Sequence, residues 1–114
     1  MDRLLQNIVT ACVEVKLTGF LALRPGCRFI VGKTTQTLNQ RFAERYADRY
    51  EDIELLYDAY ENGELIDMVE KDVIEFAKEV YADTCDNEQV GGGPNCADNT
   101  SRENTAKLYV AWKT

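Results

Sequence analysis

The spacing of hydrophobic and polar positions changes several times along the chain, and each change predicts an element. Arg3 to Val9 reads as a short helical lead-in, and ThrAlaCysValGluValLys, Thr10 to Lys16, as a β-rich run. From Thr18 to Thr35 two short apolar segments are joined through Arg24, Pro25, Gly26 and Cys27. Proline presets φ at the first central position of a turn and glycine tolerates positive φ at the second, so this stretch predicts a tight hairpin that closes on ValGlyLysThrThr. Thr37 to Tyr50 is predicted helical because Leu38, Phe42, Tyr46 and Tyr50 fall at intervals of four, with Thr37 placed to cap the first amides. Ile53 to Tyr60 reads as a strand ended by Asn62 and Gly63, and Glu64 to Tyr81 as a longer helix. Asp83 to Asn104 has no period and carries GlyGlyGlyProAsn, which predicts a functional or mobile loop. Ala106 to Trp112 is a closing strand. The expectation is one α+β domain over residues 1 to 114, a small antiparallel sheet flanked by helices.

Composition narrows the function classes. A chain of 114 residues holds one core without needing crosslinks. No apolar run approaches the roughly 20 residues that span a bilayer, and Met1 to Ala11 lacks the layout of a signal peptide, so an intracellular, soluble protein is expected. There is no histidine, and the four cysteines at 12, 27, 85 and 96 form no CxxC pair. That removes the usual zinc ligand sets and any histidine-dependent nucleophile or base. Cys85 and Cys96 flank one loop and are expected as reduced thiols inside a cell. GlyLysThr at 32 to 34 suggests a phosphate loop, but Gly26 and Gly32 are separated by CysArgPheIleVal, which is one residue too many and strand-like.

The net charge of −7 is unevenly spread. Residues 1 to 50 carry eight Lys/Arg against four Asp/Glu, whereas residues 51 to 100 carry two against fifteen. A basic face opposed to an acidic one is one source of such a split, and phosphate contacts depend on local rather than total charge. An acidic solvated surface is the other source.

Two constellations stand out. Arg41, Arg45 and Arg49 fall at i, i+4 and i+8, so three guanidinium groups can line one edge of the first predicted helix as donors for phosphate oxygens. Glu44 and Asp48 follow Arg41 and Arg45 by three residues and offer simple ion pairing instead. On the second helix Glu70 sits among Ile66, Val73 and Ile74, with Asp67 as its one polar neighbour on that stripe. A carboxylate on an apolar stripe must find a cation, a donor or a metal, or stay protonated.

With these residues placed, the chain resembles the GIY-YIG nuclease superfamily. Members carry Gly-Ile-Tyr on one strand and Tyr-Ile-Gly on the next, then a helix with an essential arginine and a later helix with an essential glutamate. Gly19, Phe20 and Leu21 stand at the first motif; Ile30, Val31 and Gly32 stand at the second, followed by Lys33, Thr34 and Thr35. ThrThrGlnThrLeuAsnGlnArgPhe makes Arg41 the arginine, and MetValGluLysAspValIleGluPhe makes Glu70 the glutamate. The resemblance covers Thr18 to Tyr81. It implies a GIY-YIG-like fold, Gly19 and Gly32 as structural motif glycines, and divalent-metal-dependent hydrolysis of DNA. Glu70 would hold magnesium or manganese, Arg41 would stabilise the transition state, and Arg45, Arg49 and Lys33 would contact nucleic acid. Both signature tyrosines are replaced, by Leu21 and Ile30, which leaves Lys33 or Tyr46 as substitutes for the group that activates water. Asn87 or Asn95 would match an asparagine found after the glutamate helix in some relatives. The alternative is a catalytically inactive relative that binds nucleic acid or a protein partner.

Overall fold

The computed structural model describes residues 3–91 and 95–114. Helix α1 (Arg3–Ala22) leads through a turn into strand β1 (Arg28–Thr34); helix α2 (Leu38–Arg45), strand β2 (Asp52–Asp58), helix α3 (Gly63–Val80), a 3₁₀ turn η1 (Cys96–Asp98) and strand β3 (Lys107–Lys113) follow. The fold is α+β. Its three strands form an antiparallel sheet in the order β1-β3-β2, so the last strand is the central one.

The N-terminal third differs from expectation. Neither a strand over Thr10 to Lys16 nor the first strand of a hairpin forms, because α1 runs unbroken to Ala22. Val9, Val13, Leu17 and Leu21 recur every four residues and are all buried, and this shared helical face outweighs the local β preference of the valines. The opposite face carries exposed Ile8 and Val15, and that second set of apolar residues masks the period. By length and composition alone α1 could cross a membrane, with a mean hydropathy of 1.3 over an 18-residue window, but one of its faces packs into the core. The ProGly turn does form. Arg24 donates to the Leu21 carbonyl, Cys27 donates to the Arg24 carbonyl at 3.1 Å, and Gly26 adopts φ +78° as the second central position requires. It joins helix to strand rather than strand to strand. Gly19 therefore lies on α1, with open space around it, and not on a motif strand.

The later elements match closely. Thr37 caps α2 by accepting from the Gln40 amide, and Asn62 caps α3 by accepting from Leu65. α2 stops at Arg45, earlier than predicted, but the Tyr50 amide still bonds the Tyr46 carbonyl, so the aromatic stripe continues through the turn. Period-two alternation gives the sheet two faces. Phe29, Val31, Leu108 and Val110 pack with α1 and α3, while Tyr46, Tyr50, Tyr109 and Ala111 form a second cluster with Ile30, Leu38 and Phe42. α1 and β3 are thus integral to the core, which extends beyond residues 18 to 81.

The outer edge of β1 is closed by the segment after α3. Phe29 donates to Thr84 O and accepts from the Asp86 amide, and the Asn87 side chain both accepts from the Val31 amide at 2.9 Å and donates to its carbonyl at 2.8 Å. This covers an edge that would otherwise offer unpaired amides. The predicted 83–104 loop is in part an ordered strap; its residues 92–94 lie outside the described residues. All four cysteines are free.

Candidate active-site groove

A groove of about 780 Å³ opens where the C-terminal end of β1 meets α2, α3 and the strap, and Lys33, Arg41, Arg45, Tyr46, Arg49 and Glu70 all line it. Each arrives for a local reason. Lys33 is on the same face of β1 as Phe29 and Val31, the face that α3 covers, so it reaches the acids of that helix. Thr34, one residue on, points to the α2 side and accepts from Arg41 Nη2 at 3.1 Å and from the Gln36 amide at 3.0 Å. Arg45 and Arg49 are exposed on the rim, and Glu44 accepts from Gln36 rather than from an arginine. Among the described residues no ion pair joins Arg41, Arg45 or Arg49 to a carboxylate.

Glu70 is buried on the inner face of α3, 4% exposed, and its cation is Lys33 rather than an arginine of α2. Lys33 Nζ lies 3.6 Å from Glu70 Oε1 but donates a hydrogen bond to Asp67 Oδ1 at 2.9 Å. Burial pushes the Glu70 carboxyl up to about 7, with the Lys33 charge opposing the shift. Burial acts to lower the Lys33 ammonium, yet the Asp67 hydrogen bond and the Glu70 and Asp67 charges outweigh it and raise it. Lys33 is therefore held charged, and the depressed pKa that a lysine base needs is not met. Two buried polar atoms lack hydrogen-bond partners among the described residues, Arg41 Nε and Glu70 Oε1, and their side chains line the same groove.

The sequence reading missed a third contributor. Gly32 pairs with Tyr109 across the β1–β3 ladder, and the Tyr109 ring lies over the glycine. A Cβ on Gly32 would sit 2.5 Å from Tyr109 Cζ, so this glycine admits the Tyr109 ring rather than helix α2. The Tyr109 hydroxyl meets the Tyr46 hydroxyl at 2.6 Å, and both residues line the groove. Burial first and Tyr46 second raise the Tyr109 phenol, so it stays protonated. Gly32→Val is expected to drive this ring from its seat and to cost about 1–3 kcal/mol by overpacking, read as a lower midpoint in urea unfolding. An unchanged midpoint would mean that the ring moves aside freely.

No cluster of three or more acids or cysteines forms among the described residues, so there is no all-protein cage. Burial pushes the Cys96 thiol up to about 11, so it is a neutral thiol in the metal-free protein. Glu70, with one oxygen lacking a donor, suits a hard cation such as Mg²⁺ that takes one carboxylate and keeps several waters. Asn87 and Asn95 both line the groove, Asn87 with its amide bonded to β1 at Val31. Comparison with family models, curated proteins and solved structures finds no match for the chain.

Proposed function

We propose that the groove is the active site of a divalent-metal-dependent phosphodiesterase acting on DNA, an endonuclease of the type that the sequence resembles. The observation that carries this reading is the pairing of opposites: a buried carboxylate with a free acceptor and a guanidinium with a free donor line one groove. Phosphodiester hydrolysis needs that combination, positive charge on the non-bridging oxygens and a seat for a cation.

A magnesium or manganese ion held by Glu70 would supply Lewis acidity to a non-bridging oxygen. Arg41, anchored through Nη2 to Thr34, directs its remaining donors at the charge that develops on the phosphoryl group. Arg45 and Arg49 on the rim receive flanking phosphates. Of the Tyr46–Tyr109 pair one hydroxyl donates to the other, which leaves one further proton free to orient a water by hydrogen bonding. Because Tyr109 stays protonated, the pair positions the water and the proton leaves to solvent; the reaction is expected to be slow for want of a strong base.

The sheet brings a phenol to the motif strand from elsewhere in the chain. The partner of the Ile30-Val31-Gly32 strand is β3, which brings Tyr109 opposite Gly32 from the far end of the chain. Tyr109 thus offers a phenol beside the Ile30-Val31-Gly32 strand where Leu21 and Ile30 replace the signature tyrosines, and the 19–21 match lies on α1 instead.

The experiment is incubation of the pure protein with supercoiled and branched DNA in magnesium or manganese. Nicking that needs metal and is lost in Arg41→Met supports the reading. DNA binding that weakens steeply with salt but yields no product at any metal concentration would favour the inactive binding module.

A further inference from the structure

Lys33 has two carboxylates within reach and treats them unequally. Its ammonium donates to Asp67 Oδ1 at 2.9 Å, while Glu70 Oε1 stands 3.6 Å away without a hydrogen bond. The acids are three residues apart on α3, so one helix face presents both to the end of β1. The Lys33 side chain is 6% exposed, which leaves its ammonium little access to solvent and makes these two acids its alternatives. Asp67 is itself pinned, for Oδ1 also accepts from the Cys96 amide at 2.8 Å and Oδ2 from the Ala97 amide at 3.1 Å. An ammonium hydrogen-bonded to Glu70 instead would occupy the lone pair that a hard cation needs and bring its charge closer than the present 3.6 Å.

We propose that Asp67 is a positioning residue that withholds Lys33 from Glu70 and so keeps Glu70 Oε1 open to a divalent cation. The inference rests on the metal-dependent reading above and says which neighbour makes Glu70 competent. Asp67 acts through Lys33, and η1, whose amides fix Asp67, becomes part of the same device.

The test is a magnesium titration of the full chain, read by calorimetry and by the magnesium-induced change in Tm. Wild type, Asp67→Asn, Lys33→Met and the double variant are compared. Asp67→Asn should weaken magnesium binding about tenfold or more as Lys33 turns to Glu70. The double variant should recover most of that loss, and Lys33→Met alone should bind more tightly than wild type. A merely structural Asp67 would give no recovery in the double variant, which overturns the inference, as does equal affinity in wild type and Asp67→Asn. Should Asp67→Asn fail to fold, Lys33→Met decides alone, and unchanged or weaker binding there overturns it. A wild type that binds no magnesium overturns the metal reading, and this inference with it.

Discussion

Glu70→Gln should abolish metal-dependent cleavage and remove the rise in Tm that magnesium gives the wild type. Glutamine keeps the length and shape of the side chain but offers a neutral oxygen, so the charge that draws the cation is gone. Loss of an electrostatic group of this kind costs roughly a hundredfold to a thousandfold in rate. The apoprotein should respond in the other direction with pH. The folded Glu70 carboxyl is raised from 4.5 to about 7, chiefly by burial, so the native state holds this proton more tightly than the unfolded chain. Its contribution to stability is fully present below about 4.5 and is lost as pH rises through about 7. The Tm of wild type relative to Glu70→Gln should therefore fall between pH 4.5 and 8 in chelator. A constant difference across that window would show that Glu70 is no more strained by ionisation in the folded than in the unfolded protein.

Gly63→Ala should destabilise the fold more than any other single methyl addition to a described glycine. A Cβ at this first position of α3 would sit 2.6 Å from the Ala97 amide nitrogen and closer still to the Cys96 carbonyl. These are backbone atoms, which cannot swing aside as a side chain can, so the expected cost lies at or above the upper end of about 1–3 kcal/mol. The relief is displacement of η1, and that removes the two amides that hold Asp67. Urea unfolding should show the lower midpoint, and hydrogen exchange should show faster exchange at Cys96 and Ala97. Unaltered exchange there would mean that α3 itself had shifted.

The parts of this fold that were legible from sequence are those whose signal is local. The four-residue spacing of Leu38, Phe42, Tyr46 and Tyr50 foretold a packed aromatic stripe, and the apolar setting of Glu70 foretold a carboxylate in need of a partner. The Thr37 cap stands where a polar residue precedes a periodic run, whereas Asn62, read as a turn residue that ends the strand, also caps α3. α1 was missed because apolar residues on both of its faces hide the helical period, and β-branched residues then tip a local reading toward a strand. Tyr109 was missed for a different reason. Its place over Gly32 is set by the register of a strand from the other end of the chain, and no local pattern encodes that pairing. The same holds for Asp67, whose role depends on a lysine from β1 and on amides after α3. Spacing thus supplied candidate residues; tertiary pairing decided their partners.

The proposed chemistry depends on a divalent cation at Glu70, in the groove that Arg41 also lines. Manganese titrated into isotope-labelled protein would locate it, since the paramagnetic ion broadens the amide signals nearest to it. Early, selective broadening is expected at Glu70, Lys33 and Ala97, and is expected to be absent in Glu70→Gln. Broadening confined to the acidic stretch from Glu51 to Glu64, or unchanged by Glu70→Gln, would contradict it.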